Sequence, residues 1–247
     1  MKITFAGTGD AFGAGGRFNT CFHVRSNAAT FLIDCGASAL VSLHRLGLDP
    51  DGIDAIFISH LHGDHFGGLP NLLMEAHYVN KRARPLVLAG PYGFRDRLMT
   101  TMEALYPDSS KIPWKFDLTL VQLATDAEKH ICGIGVRPFE IDHYSGAPSC
   151  ALRMSVDGKI MTYSGDTQWT ENLVAAARGA DLFICECYMY DRDVSGHLSY
   201  VRIAENVDRF NAKRICLTHM GPQMLKSLDK VDRNRFSLLD DGMVIDL

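Results

Sequence analysis

The chain has 247 residues, a formal charge of −4, 47% hydrophobic residues and 22% charged ones. This balance suits a globular protein with a substantial core and excludes a low-hydropathy disordered chain. The acidic excess argues against a dedicated nucleic-acid binder, and no run approaches the roughly 18–20 apolar residues of a membrane span. The opening Met1-Lys2-Ile3-Thr4-Phe5-Ala6-Gly7 lacks the apolar segment of a signal peptide. Cysteines 21, 35, 132, 150, 185, 187 and 216 contain no Cys-x-x-Cys pair and read as buried reduced thiols of a cytoplasmic protein. No linker or low-complexity stretch is evident, so a single domain over residues 1–247 is expected.

In chain order, residues 2–5 read as a strand entering Gly7-Thr8-Gly9-Asp10-Ala11-Phe12-Gly13. The third glycine of a dinucleotide fingerprint would fall on Phe12, and no Gly-Lys-Ser/Thr follows, so this is a tight inter-strand loop. Strands 21–25 and 30–33 form a hairpin ending at Asp34. Asp34 has two readings, an acceptor that fixes the tautomer of a ligand histidine, or a turn or cap carboxylate. Helix 37–46 stops at Gly47, and strand 53–59 leads into His60-Leu61-His62-Gly63-Asp64-His65.

That stretch organises the chain. Four potential metal ligands, His60, His62, Asp64 and His65, fall within six residues after an apolar run. Imidazole and carboxylate suit zinc and its first-row neighbours. Histidines two apart cannot share one helical turn as an i, i+4 pair does, so they belong at a strand end opening into a loop. Gly63 is expected to allow the turn, with Asp64 and His65 leading into a helix.

Helix 69–79 ends in Asn80-Lys81-Arg82-Ala83-Arg84, which reads as a solvated helix end or, less commonly, as a contact for an anionic substrate. Strand 86–89 and helix 93–105 follow. Met74, Tyr78, Met99, Met102 and Tyr106 read as core or pocket wall. Strands 118–123 and 136–141 come next, the second leading to His143. Strand 149–156, an Asp157-Gly158 turn and strand 159–163 end at Ser164-Gly165-Asp166-Thr167. Strand 181–185 ends at Glu186 and strand 214–217 at Thr218-His219, with helices over 171–178 and 198–210 and a closing strand over 243–247. Apolar strands that end in His or Asp at one rim, with helices between them, imply a layered α/β architecture.

His-Leu-His-Gly-Asp-His, the later lone His143, Ser-Gly-Asp-Thr and the late Thr-His resemble the successive motifs of the metallo-β-lactamase superfamily over almost the whole chain. The resemblance implies an αββα sandwich of two pseudo-symmetric halves with a binuclear site for two divalent ions, zinc ahead of manganese or iron. His60, His62 and His143 would hold one metal, Asp64, His65 and His219 the other, and Asp166 would bridge them. A hydroxide between two cations is a nucleophile at neutral pH, because a metal lowers the pKa of its water from about 15.7 to near 7.

Phe5-Ala6-Gly7-Thr8-Gly9, Ala180-Asp181-Leu182-Phe183-Ile184-Cys185-Glu186 and Gly196-His197-Leu198-Ser199 resemble the phosphodiesterase branch that includes ribonuclease Z. There His197, oriented by Glu186, would protonate the leaving group. Asp64, His197 and Glu186 are the implied catalytic residues. The pattern departs from the branch at Leu198, where the Ser or Thr of the motif would stand, and at Cys185, where a His is usual. Only 22 residues separate His143 from Asp166, too few for the tRNA-gripping arm expected there in ribonuclease Z types. A small anionic phosphodiester, such as a cyclic nucleotide, is therefore preferred as substrate, with no membrane partner and a homodimer as an option. The alternatives are a lactonase, thioesterase or β-lactamase acting at carbonyl carbon, or a ribonuclease Z-like tRNA 3′ endonuclease. Tyr144, Tyr188, Tyr190 and Arg192 are further candidates for the pocket wall.

Overall fold

The computed structural model describes residues 1–125 and 127–247. The first half supplies strands β1 (Lys2–Gly7), β2 (Cys21–Arg25), β3 (Thr30–Ile33), β4 (Ala55–Phe57), β5 (Leu86–Gly90) and β6 (Leu118–Gln122). Its helices are α1 (Ala39–Arg45), α2 (Gly63–Phe66), α3 (Leu69–Tyr78) and α4 (Phe94–Leu105). The second half supplies β7 (Lys129–Ile131), β8 (Ile134–Ile141), β9 (Ser149–Val156), β10 (Lys159–Tyr163), β11 (Leu182–Glu186), β12 (Ile215–Thr218) and β13 (Phe236–Leu238). Its helices are α5 (Glu171–Ala177), α6 (Tyr200–Phe210) and α7 (Pro222–Leu225), and the last strand is β14 (Val244–Asp246).

Two seven-stranded sheets result, ordered β14-β1-β2-β3-β4-β5-β6 and β13-β12-β11-β10-β9-β8-β7. Each is antiparallel at one end and parallel at the other, the parallel parts running β3 to β6 and β10 to β13. The halves are thus alike in grammar, as the motif resemblance implies. The closing strand crosses over: β14 pairs with β1, Ile3 opposite Ile245, so the chain's last strand completes the first half's sheet.

Three apolar layers follow from the strand patterns. Between the sheets lie Phe5, Phe22, Phe57, Val136, Leu152, Tyr163 and Ile184. Leu43, Ile56, Leu69, Leu73, Leu98 and Met102 join the first sheet to its helices, and Leu173, Phe183, Ile203, Phe210 and Leu217 do so for the second. Phe22 meets Phe5 and Tyr163 edge-on at 5.3 and 5.1 Å, tying the sheets together. Such pairs contribute about 0.5–1.5 kcal/mol each beyond their buried area.

Several expectations are corrected. Gly63 has no left-handed backbone and simply opens the single turn of α2. The helix expected from residue 198 begins at Tyr200, because Ser199 accepts from Arg202 N–H as its N-cap. Tyr78 is 57% exposed rather than core, and Cys132 is exposed while the other six thiols are buried. The basic run after α3 is not a solvated end throughout. Arg82 is buried, donating to the carbonyls of Asp51, Ile53, Arg84 and Pro85. Among the described residues, no helix is long and apolar enough to cross a membrane.

Candidate metal centre

The carboxyl ends of the parallel strands in both sheets converge on one rim, the place where open α/β sheets put their ligands. Asp34 follows β3, His60 follows β4, Asp166 follows β10, Glu186 ends β11 and His219 follows β12. Asp34 and His219 both adopt the left-handed region, at φ 57°, which is uncommon for residues with a Cβ and turns each chain off its strand. The His219 conformation is held by its own N–H, which donates to Thr8 O at 3.0 Å.

Asp34 resolves as the acceptor behind the histidines. Its carboxylate, fully buried, receives the Ser59 N–H at 2.7 Å, the Ser59 hydroxyl at 2.8 Å and His65 Nδ1–H at 2.7 Å. Since the Ser59 hydroxyl gives its proton to Asp34, it accepts from His60 Nδ1–H at 3.0 Å. Both rings are thereby oriented through Nδ1–H, with Nε2 facing inward. His143 is fixed likewise, its Nδ1–H donating to Gly196 O at 2.8 Å. Ser59 was missed from sequence; its only signal is its place directly before His60.

Among the described residues, two sets of donor atoms lie side by side, His60 with His62 and His143, and Asp64 with His65, Asp166 and His219, and a third, His143 with Asp166 and His197, overlaps both. His143 Nε2 points at His62 Nδ1 across 2.9 Å. Asp166 Oδ2 lies 3.2 Å from Nε2 of both His65 and His219 and 3.8 Å from His60 Nε2, so one carboxylate reaches both sets. Asp64 Oδ2 is 3.1 Å from His65 Nε2. His60 Nε2, His65 Nε2, Asp64 Oδ2 and Asp166 Oδ1, all facing the cluster, are buried without a hydrogen-bond partner. Buried polar atoms left bare are costly, and divalent cations would satisfy this mixed nitrogen–oxygen set. The residues present fit such ions.

The electrostatics agree. Burial drives His60 well below the usual imidazole pKa, keeping it neutral as a ligand must be. Burial also opposes charge on His65, but the carboxylates of Asp166, Asp64 and Asp34 outweigh it and raise this ring well above its ordinary value. Burial pushes Asp166 upward, and the surrounding His219 and His65 overcome it and hold the carboxylate ionised.

His197 and Glu186 sit beside the cluster. Glu186 is fully buried and accepts from Thr167 N–H at 2.7 Å and from His197 Nδ1 at 3.2 Å. The His197 ring stacks on Tyr188 and on His219, with centroids 4.8 and 5.6 Å away, and Nε2 is the ring nitrogen that Glu186 leaves free. These rings face a cavity of about 370 Å³ that Asp64, Asp166, Phe12 and Tyr188 also line. Phe12 is 89% exposed at its mouth, presented by a turn in which Asp10 accepts from the Phe12 and Ala14 N–H groups. Asp241 accepts from Thr8 N–H, the Thr8 hydroxyl and Phe18 N–H, anchoring the same loop and, through Thr8, His219. Phe12, Asp10 and Asp241 were not singled out from sequence, although Gly9-Asp10-Ala11-Phe12-Gly13 has the composition of a side-chain-capped turn. Of the other tyrosines, Tyr188 lines the cavity, Tyr190 packs on Tyr200, and Tyr144 is exposed without lining it, as is Arg192.

The family described as Anti-Pycsar protein Apyc1 matches residues 1–243. An anti-Pycsar protein Apyc1 of Bacillus phage 010DV004 is 28% identical, over 96% of this chain and 96% of its own. A ribonuclease Z of Agathobacter rectalis is 24% identical, over 95% of this chain and 92% of its own. Among solved structures, the short form of human tRNase Z superposes with a TM-score of 0.77 at 28% identity, covering 100% of this chain and 99% of that one. The fold and the His/Asp cluster are thus those of a metal-dependent hydrolase in the ribonuclease Z-like branch of the metallo-β-lactamase superfamily. Within that branch, the chain belongs to the Anti-Pycsar protein Apyc1 family.

Proposed function

We propose that residues 1–247 act as one phosphodiesterase domain that opens small phosphodiesters, cyclic nucleotides foremost, with His197 as leaving-group acid. The observation that carries this is the Glu186–His197 pair placed against the metal cluster on one cavity wall. We assign His60, His62 and His143 to one divalent ion and Asp64, His65 and His219 to a second, with Asp166 shared and zinc the first choice of metal. Such ions supply Lewis acidity and a nucleophile at neutral pH.

The chain's own residues do the rest. Asp34 and Ser59 keep the ligand imidazoles in the correct tautomer. Glu186 holds His197 Nδ1, so that Nε2 presents a proton to the departing alkoxide. An alkoxide is a poor leaving group, and a positioned acid with a pKa near the working pH helps it most. Phe12 and Tyr188 offer aromatic faces at the cavity mouth, suited to the flat base of a nucleotide. The cavity's size favours a small substrate over a folded RNA. Relatives named ribonuclease Z and anti-Pycsar support phosphodiester chemistry over attack at carbonyl carbon.

The test is metal-reconstituted hydrolysis of a cyclic nucleotide, bis-p-nitrophenyl phosphate, a tRNA precursor, a lactone and a β-lactam, with wild type and His197→Ala compared. Cyclic-nucleotide turnover that falls about 100-fold to 10,000-fold in the variant is expected. Dominant lactone or β-lactam turnover that ignores His197, or preference for the tRNA precursor, sinks the proposal.

A further inference from the structure

The outer face of the second sheet carries a second concentration of charge. Arg137 on β8 stands directly opposite Arg153 on the antiparallel neighbour β9. Like charges in direct register destabilise a sheet, so the fold gains nothing from this pairing. Arg153 has a structural task, as its Nη1 donates to Ala176 O at 2.7 Å and Arg178 O at 2.9 Å, closing the end of α5. Arg137 has none of that kind; its guanidinium lies over the Phe139 ring at 5.0 Å.

Arg178, just past α5, is the third member. All three arginines line one cleft of about 520 Å³, together with Glu128, Phe139 and Ser155. The cleft shares no lining residue with the cavity at the metal cluster. Glu128 is its single acidic wall residue, which leaves two positive charges in excess. Among the described residues, none of the three guanidinium groups has a carboxylate within ion-pairing distance. Burial, and next the charge of Arg137, pull the Arg153 guanidinium below its usual pKa, with the nearby Glu128 opposing them only in part.

We propose that this cleft is a second anion site, built for the diphosphate group of a small molecule. Side chains in direct cross-strand register start about 4.5–5.5 Å apart, close enough for one diphosphate to bridge both guanidinium forks. Planar guanidinium groups match phosphate oxygens two at a time. A ligand with at least two negative charges neutralises the excess and removes the repulsion across the ladder. The Phe139 ring beside Arg137 gives an attached base or sugar an apolar surface.

The test is calorimetric titration of the full chain with pyrophosphate and, separately, with ADP at low ionic strength. Wild type is compared with Arg137→Gln/Arg178→Gln at equal metal loading, so the difference reports the cleft and not the metal cluster. Neither replaced side chain donates a hydrogen bond within the described fold, so the double variant is expected to fold and to hydrolyse bis-p-nitrophenyl phosphate at the wild-type rate. Affinity for both probes should fall about tenfold or more in the variant. Tighter ADP binding identifies a nucleotide and equal binding the diphosphate alone; either supports the site. Unchanged affinity in the variant, sulfate binding as tightly as pyrophosphate at matched ionic strength, or a single-stranded oligonucleotide outcompeting ADP overturns it.

Discussion

Glu186 and His197 are joined Oε1 to Nδ1 at 3.2 Å, the carboxylate buried at the end of β11 and the imidazole at the cavity wall. The pair makes a prediction about leaving groups. His197→Ala should cost a cyclic nucleotide about 100-fold or more in kcat, because its alkoxide must be protonated. Bis-p-nitrophenyl phosphate, whose p-nitrophenolate departs without a proton, should lose much less. Equal losses on both substrates would remove the acid role and leave a positioning one.

The same pair sets an alkaline limit. Burial raises Glu186 to about 7, and the His197 hydrogen bond holds it from rising further. Burial would lower His197, but the hydrogen bond and charge of Glu186 outweigh it and raise the ring to about 9. The acid form therefore persists through neutrality, and kcat should fall as pH passes about 9. A raised histidine pKa also means that its stabilisation is complete below the ordinary value of about 6.5 and is lost as pH rises through the folded value. Glu186→Gln should move the alkaline limb of the pH–rate profile toward neutrality. A limb that stays in place assigns it to another group.

Asp34, which holds His65 directly and His60 through Ser59, should affect metal affinity from behind the ligand set. Asp34→Asn tolerates the left-handed backbone but turns an amide toward His65 Nδ1–H and the Ser59 hydroxyl. Loss of such an outer acceptor lowers metal affinity about 10–100-fold. Competition with a chromophoric chelator measures it, and an unchanged dissociation constant would show that the tautomers are set elsewhere.

Metal loading should be coupled to protons. His65 holds a proton against its burial because three carboxylates surround it, and a cation must displace that proton. Affinity should fall as pH falls, and titration in buffers of different ionisation enthalpy should register proton release. EDTA should lower Tm, since a ligand bound only by the folded state stabilises it. No change in Tm on stripping metal would contradict the assigned ligand set.

Arg82→Ala separates packing from substrate contact. The guanidinium satisfies four backbone carbonyls, and its removal leaves buried acceptors bare. Urea unfolding should show about 3 kcal/mol or more of destabilisation, with KM for the diester unchanged. A raised KM in folded enzyme would instead support the basic run as a substrate contact.

What was legible in the sequence was what local chemistry alone could not explain. His60, His62, Asp64 and His65 after a buried strand have no packing use, and the later His143, Asp166 and His219 take meaning from them. Asp34 stayed ambiguous because a carboxylate at a strand end looks the same whether it caps a turn or faces an imidazole 31 residues away. Arg82 was misjudged for a related reason: a basic run reports its charge, while the carbonyls of Asp51 and Ile53 that neutralise its solvation loss come from elsewhere in the chain. The strands β7 and β13 escaped notice because three residues each carry too little alternation to register. Phe12 escaped because exposure of an apolar ring is decided by tertiary structure.

The crossing of β14 into the first sheet has one more consequence. A fragment carrying the second half would still own the strand that borders β1, as well as His143, Asp166 and His219. The first half would own His60, His62, Asp64 and His65 and lack that edge strand. The second piece holds every strand of its own sheet, the first piece lacks β14, and neither holds a full ligand set alone. A cut at the connection between β6 and β7 therefore separates ligands and sheet edge together, so the two pieces depend on each other for both.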